Sequence, residues 1–207
     1  MEGFLLLPKG YLSWSAYSMW KSSPERYKKE YFLGSDRLDT RFLRFGKSIA
    51  SQIEEGTHHE ILPNLKVYPE VEFQINVDVL GVPILSYLDS YDPANNIFRE
   101  YKTGLSRNPW TAVKVQKHGQ LLFYAVALRA LFGKMPEYCH LDWIITQEIE
   151  RGNKAFDKGR KDIRITKEIK SFKRTFDERE LDKMESELLQ AAQDISVAYR
   201  EFIQNLI

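Results

Sequence analysis

The sequence predicts an α/β fold with a mixed central β-sheet flanked by helices. Three features predict it: segments with a strand period of two, helical periods before and after them, and short turns between strands. With 207 residues, the chain is long enough for one well-cored domain. We expect a single domain over 1–207, with N-terminal helices at 12–56, a central core at 66–150, and a C-terminal basic segment and long helix at 151–207.

Two helical regions precede the predicted sheet. Ser13–Phe32 is rich in aromatic residues and predicts two short helices split near Pro24. Leu38–Glu55 carries apolar residues at three- and four-residue steps, so it predicts an amphipathic helix that ends at Gly56.

Three strands are predicted next. Val71–Val79 alternates apolar and polar residues, which is typical of a half-buried strand. Gly81 turns the chain into a second strand, Ile84–Tyr91, and the turn residues at 92–96 lead into a third, Ile97–Lys102. Because the connections are short, we expect an antiparallel meander.

The second half alternates helix and strand. Thr111–Phe132 predicts one helix, with Gly133 as its stop. Cys139–Ile149 predicts a fourth strand. Asp162–Phe176 alternates only roughly, so one or two strands are expected here, the second being this segment. Asp177–Ile207 predicts a long amphipathic helix that is broken once.

Composition narrows the functional class. The hydrophobic fraction is 43% and the formal net charge is +1, which is typical of a soluble globular protein without an overall basic bias. Cys139, the one cysteine, can form neither an internal disulfide nor a four-cysteine iron–sulfur site. No apolar run approaches the ~20 residues of a membrane span. We therefore expect a cytoplasmic protein with no membrane partner.

One group of charged residues could support catalysis. Glu100 and Lys102 lie two apart on the third strand and so share a face. Asp89, on the preceding strand, can be brought opposite Glu100 by the hairpin. Two carboxylates and the Tyr101 carbonyl form an oxygen-only site suited to Mg²⁺ or Mn²⁺. An adjacent lysine can orient or deprotonate a water and offset charge in a transition state.

Several motifs occur in an order and spacing that resemble the PD-(D/E)XK nuclease superfamily, specifically its RecB-like exonuclease branch. They cover roughly residues 12–150 and comprise Leu12-Ser13-Trp14-Ser15, Ser23-Pro24-Glu25-Arg26-Tyr27 with Tyr31, the Gly46–Glu54 stretch, Asp89, Glu100-Tyr101-Lys102-Thr103-Gly104, and Gln120-Leu121-Leu122-Phe123-Tyr124. The resemblance implies a restriction-endonuclease-like core.

The resemblance also implies roles for individual residues. Asp89 and Glu100 would be metal ligands and Lys102 the catalytic lysine. Gln120 and Tyr124, one helical turn apart, would hold the site or a nearby phosphate, or would form an ordinary polar edge of a packing helix. Glu72, on the strand before that of Asp89, could also contribute to the site or could belong to a solvated strand face.

The sequence departs from the family pattern at three positions. Ala50 stands where the family has a histidine ligand; Glu54 is a candidate substitute ligand, or else a solvated helix position. Ser23 replaces the cysteine of iron–sulfur members, so no iron–sulfur cluster is expected. Ser86 replaces a glycine before the aspartate.

Basic residues provide candidate DNA contacts. Residues 151–174 hold ten lysines and arginines against three acids, and include Lys158, Arg160 and Lys161. Such a segment suits a polyanion, although charged runs are usually solvated faces. Arg107 and Trp110 could contact a DNA backbone or stack on a base, while burial of Trp110 is equally consistent with the sequence.

The sequence therefore predicts a metal-dependent DNA nuclease. The resemblance implies an exonuclease in DNA repair, recombination or phage replication, with DNA as substrate and a recombinase or other replication or repair protein as a possible partner. The alternative is a catalytically inactive DNA-binding or assembly module that keeps the fold, and Ala50 favours it. Oligomeric state is left open.

Overall fold

A computed structural model describes residues 5–36, 39–150 and 161–206. Six α-helices occur in these ranges: α1 (Trp14–Ser22), α2 (Pro24–Tyr27), α3 (Arg41–Glu54), α4 (Ala112–Gln116), α5 (Gly119–Phe132) and α6 (Glu178–Gln204). A π-helical turn, Lys28–Phe32, follows α2, and a 3₁₀ turn, His58–Glu60, follows α3. The strands are β1 (Glu70–Val79), β2 (Val82–Asp92), β3 (Ile97–Leu105), β4 (Tyr138–Glu150) and β5 (Lys161–Thr175).

The five strands form one mixed sheet in the order β1-β2-β3-β4-β5. The β1–β2, β2–β3 and β4–β5 pairs are antiparallel, whereas β3 and β4 run parallel. The predicted meander and the fifth strand are therefore confirmed. Leu80 and Gly81 form the two-residue β1–β2 turn, both with positive φ (51° and 83°), which is the geometry of a tight hairpin.

The parallel β3–β4 pair requires a crossover, which α4 and α5 provide. The prediction of one helix over Thr111–Phe132 was wrong, because the chain leaves the helical region at His118 (φ −77°, ψ 105°). The break lets Gly119 begin α5 directly against the indole of Trp14. A Cβ at Gly119 would lie 2.6 Å from the Trp14 ring, so any larger residue would require the indole or the helix to move.

The C-terminal helix α6 is continuous, so the predicted break was wrong. No proline or glycine occurs in Glu178–Gln204 to interrupt it. Asp177 caps its start by accepting a hydrogen bond from the Arg179 amide. Its buried residues recur at three- and four-residue steps along most of the helix, which keeps one face on the core.

Each face of the sheet covers a hydrophobic cluster. The larger cluster joins the sheet to α1, α5 and α6. The smaller one is centred on Ile144 of β4 and is covered by Ile49 and Ile53 of α3 with Leu62 and Leu65. This second cluster holds α3 across the sheet beside the end of β3. Within the described ranges, no helix combines the length and apolar character that crossing a membrane requires.

Candidate active site

A cleft of about 430 Å³ lies between α3 and the region where β2 and β3 separate. Asp89 and Lys102 line it from the sheet, and Ala50 lines it from α3. The helix approaches the sheet closely at Gly46, where an added Cβ would lie 3.4 Å from Thr103 Oγ1. The cleft therefore brings Asp89 and Lys102 together with the helix position at Ala50, whereas Glu100 is not among its lining residues.

Asp89 lies just beyond the end of the β2–β3 ladder. The last pair on this side is Ser90 with Arg99, so one further step places Asp89 opposite Glu100. The two strands separate here, and Asp89 Oδ2 accepts a hydrogen bond of 2.6 Å from the backbone amide of Tyr101. The carboxylate thus takes the place of a backbone carbonyl that would accept this hydrogen bond in the β2–β3 ladder. The bond holds Asp89 against the strand that carries Glu100 and Lys102.

Glu100 is almost completely buried, with 2% of its surface exposed. Its Oε1 accepts a hydrogen bond from Lys102 Nζ. Its Oε2 is buried and has no hydrogen-bond partner among the residues that the structure describes. A buried carboxylate oxygen without a partner is costly, so this atom has an unmet requirement for a donor or a cation.

Lys102 connects the acidic residues to α5. Its Nζ also donates a hydrogen bond of 2.9 Å to Gln120 Oε1. Gln120 Nε2 in turn donates to the Tyr124 hydroxyl at 2.7 Å. The spacing of four residues puts Gln120 and Tyr124 on one face of α5. The structure therefore joins four of the predicted site residues in one chain of hydrogen bonds: Glu100, Lys102, Gln120 and Tyr124.

The local electrostatics keep Lys102 charged and oppose ionisation of Asp89. Burial, reinforced by Glu100, raises the pKa of Asp89 well above its usual value, although Lys102 and the Tyr101 amide act in the opposite direction. Burial alone would lower the pKa of Lys102, but Glu100 and Asp89 raise it overall. Because Lys102 stays an ammonium, it is suited to compensate negative charge and to orient a water. It is not suited to remove a proton from that water.

Glu72 lies in this cleft, which favours the first of its two interpretations over a solvated strand face. It is half-buried and lines the cleft beside Asp89. Val71 pairs with Ser90 and Phe73 with Leu88, so the register places Glu72 opposite Asp89. Its φ of +50° is strained for a non-glycine residue in a strand. Burial and then the negative charges of Glu54 and Glu100 raise its pKa.

The two other candidate metal ligands, Glu54 and the Tyr101 carbonyl, are placed differently from Asp89 and Glu100. Glu54 is exposed at the end of α3 and is not among the residues that line the cleft. Tyr101 directs its hydroxyl away from the acids: it donates to the Lys66 carbonyl at 2.9 Å and lies 2.7 Å from Ser90 Oγ. Coordination by Glu54 and by the Tyr101 carbonyl stays a prediction.

The residues present suit a hard divalent cation. Among the described residues, no group of three or more His, Cys, Asp or Glu side chains is placed to hold a metal ion. Mg²⁺ is usually bound by one or two carboxylates, with waters and substrate phosphate as its other ligands. Asp89 and the unpartnered Oε2 of Glu100 fit that smaller ligand set.

The predicted DNA contacts lie in different surroundings. Arg107 forms a 2.9 Å ion pair with Glu148, and the Trp110 ring stacks on His118 with centroids 5.0 Å apart. Lys161 is exposed, and its carbonyl accepts a hydrogen bond from Arg41. Lys158 and Arg160 lie outside the described residues.

The fold is that of a group of exonucleases of known structure. A phage-related exonuclease from Haemophilus somnus 129PT is 15% identical, with a TM-score of 0.57 over 96% of this chain and 87% of that one. The alkaline exonuclease of Laribacter hongkongensis (LHK-Exo) is 13% identical, with a TM-score of 0.55 over 95% and 93%. LHK-Exo in complex with dAMP gives 12% identity and a TM-score of 0.54 over 100% and 98%.

At these identities the likeness establishes the fold alone. No known family matches the sequence, and no curated protein does. The mixed α/β sheet flanked by helices, as predicted, is confirmed.

Proposed function

We propose that this protein is a Mg²⁺- or Mn²⁺-dependent deoxyribonuclease of the PD-(D/E)XK superfamily that hydrolyses DNA as an exonuclease. The observation that carries the proposal is the buried Glu100 carboxylate close to Asp89. One of its oxygens accepts a hydrogen bond from Lys102, and the other has no partner among the described residues. The fold shared with several exonucleases supports the same class of reaction.

In this proposal Asp89 and Glu100 hold the cation. When bound, the cation supplies Lewis-acid stabilisation of a phosphoryl oxygen and lowers the pKa of a bound water. Lys102 holds its positive charge beside the carboxylates, where it can orient a water and offset negative charge that develops on the phosphate. Gln120 fixes the Lys102 ammonium, and Tyr124 fixes the Gln120 amide.

DNA is the proposed substrate because the segment 151–174 carries ten basic residues against three acidic ones, a charge balance that suits a polyanion. Repair, recombination or phage replication is the setting that the resemblance implies, with a recombinase or another replication or repair protein as partner. One of the similar structures is a phage-related exonuclease and another contains dAMP, which supports a nucleic-acid substrate.

A second candidate function is a DNA-binding or assembly module without catalysis. Ala50 favours it, because its methyl group lines the cleft where the family places an imidazole ligand. The two candidates differ in a single measurement, since only the nuclease turns over DNA.

The test is degradation of end-labelled linear DNA, single- and double-stranded, with Mg²⁺, with Mn²⁺ and with EDTA. We expect metal-dependent release of nucleotides that EDTA abolishes. Asp89→Asn, Glu100→Gln and Lys102→Met should each lower the rate roughly 100-fold or more.

Matched substitutions on the exposed part of α6 serve as controls: Asp194→Asn, Glu201→Gln and Lys183→Met. These should leave the rate unchanged, and circular dichroism should show that all six variants are folded. A wild-type protein that shifts DNA on a gel but never cleaves it would establish the binding module instead.

A further inference from the structure

A second pocket, of about 630 Å³, lies on the opposite face of the sheet from Glu100 and Lys102. Arg99 precedes Glu100 on β3, so its side chain projects to the other face. Tyr101, which shares the Arg99 face, anchors the segment carrying Lys66 through its hydroxyl. The second pocket is separate from the cleft that holds Asp89, because no residue lines both.

Basic side chains dominate this pocket. Five lysines or arginines line it against two carboxylates, a net charge of +3 if His140 is neutral. The five are Lys66, Arg99, Lys167, Lys170 and Lys173. A concave surface with this balance favours a small anion.

A buried ion pair forms the base of the pocket. Arg99 Nη1 donates to Asp142 Oδ2 at 2.6 Å, and both side chains are almost fully buried. The Arg99 guanidinium also lies 4.9 Å from the ring centre of Tyr68, which fixes its plane. The guanidinium is thus held in place before any ligand arrives.

The ion pair leaves one donor and one acceptor unused. Arg99 Nε and Asp142 Oδ1 are buried and have no hydrogen-bond partner within the described part of the chain. A single group that both accepts and donates a hydrogen bond can satisfy this buried donor and this buried acceptor together. A phosphate that retains one proton has both functions, whereas sulfate at neutral pH can only accept.

The rim of the pocket carries a strained residue. The register between β4 and β5 shifts between Ile144 and Thr146, where a β-bulge interrupts β5. Within that bulge Lys167 has a φ of +68°, an unfavourable conformation for lysine, and its side chain lines the pocket. Bulges commonly redirect a side chain towards a functional site.

We propose that this pocket binds a hydrogen phosphate group, with Arg99 Nε donating to one oxygen and Asp142 Oδ1 accepting the proton of another. Lys66 and Lys167 supply charge at the rim. The phosphate comes either from free inorganic phosphate or from a mononucleotide in its singly protonated form, since 630 Å³ accommodates a phosphate with an attached nucleoside.

The experiment measures binding in EDTA, so its result does not depend on whether the Asp89 cleft cleaves DNA. Inorganic phosphate, dAMP and sulfate are titrated separately at pH 7 by calorimetry. The Arg99 Nε–H signal is followed in ¹H–¹⁵N spectra. We expect phosphate to shift that signal and to bind at least tenfold more tightly than sulfate. A dAMP affinity above that of phosphate identifies the mononucleotide as the source, and a lower one identifies the free anion.

Two variants and a control complete the test. Lys66→Ala/Lys167→Ala should weaken phosphate binding about tenfold, whereas the exposed pair Lys21→Ala/Lys183→Ala should not. Asp142→Asn should remove the preference for phosphate over sulfate if it folds. If this buried substitution prevents folding, the lysine double variant still tests the proposal. The proposal fails if phosphate leaves the Arg99 signal unmoved, if sulfate binds equally well to the wild type, or if the rim lysines make no difference.

Discussion

Asp89 accepts a hydrogen bond of 2.6 Å from the backbone amide of Tyr101, the residue between Glu100 and Lys102. Aspartate is disfavoured in strands, and here its carboxylate substitutes for the backbone acceptor that the separating strands no longer provide. The bond fixes the spacing between Asp89 and the Glu100–Lys102 pair. This hydrogen bond between a side chain and the backbone thus holds the parts of the candidate metal site together.

Gln120 is predicted to act by positioning Lys102. Gln120→Leu keeps a similar volume but removes the acceptor of the Lys102 ammonium. We expect the DNA cleavage rate to fall roughly 10–100-fold, because small misplacements of a catalytic group carry costs of that size. Tyr124→Phe, which removes only the acceptor of the Gln120 amide, should have a smaller effect. Gln190→Leu on α6 is the control, and an unimpaired Gln120→Leu enzyme would contradict the assignment.

Ala50 leaves open a ligand position that an imidazole could fill. Ala50 lines the cleft from α3, so Ala50→His should add a nitrogen ligand and tighten Mn²⁺ binding by about tenfold or more. Ser51→His places the same group on the next, exposed position of the helix and should not change the affinity. Calorimetric titration with Mn²⁺ measures both. Equal affinities in the two variants would show that position 50 does not face the ion.

Gly104, the last residue of the Glu-Tyr-Lys-Thr-Gly run, is required by packing. A Cβ there would lie 2.9 Å from Trp143 Nε1, and that indole nitrogen donates to the Gly104 carbonyl at 3.1 Å. Because Trp143 is buried, Gly104→Ala should lower the free energy of unfolding by about 1–3 kcal/mol. Urea denaturation monitored by tryptophan fluorescence tests this. Loss of less than a few tenths of a kcal/mol would mean that the indole moves freely.

His118 should make the stability dependent on pH. Burial, and then the nearby charges of Lys102 and Arg174, lower its pKa from 6.5 to about 4. Between these values the unfolded chain binds a proton that the folded protein does not, so the free energy of unfolding falls as the pH decreases from 6.5 to 4. Above pH 6.5 this contribution is fully retained.

Denaturant titrations at pH 7 and pH 5 measure the effect of His118. His118→Gln should show a smaller loss of stability between the two pH values than the wild type does. His59→Gln, at an exposed position of the 3₁₀ turn, should behave as the wild type. Identical losses in all three proteins would assign the acid sensitivity to other groups.

Much of the site follows from strand geometry. A two-residue turn at Leu80-Gly81 fixes the β1–β2 register, and the tight connection before Ile97 fixes the β2–β3 register. Together they place Glu72, Asp89 and Glu100 at one level of three adjacent strands. The sequence therefore contained the signal for Glu72, although its alternating pattern alone left both interpretations open.

Other features depend on tertiary contacts that no local pattern encodes. The apolar periodicity continues across His118, so the break before α5 becomes visible only when Trp14 packs on Gly119. The Trp110 ring had two open interpretations, and its stacking on His118 is set by the crossover between β3 and β4. The pairing of Arg99 with Asp142 arises from the parallel alignment of two strands that are distant in sequence.

The most direct test of the account is the position of Mn²⁺ in crystals soaked with that ion, located by its anomalous scattering. We expect a peak between the carboxylates of Asp89 and Glu100, about 2.1 Å from an oxygen of each, with the Lys102 amine adjacent but not coordinated. A saturated crystal with an intact sheet and no Mn²⁺ at these two residues would contradict it.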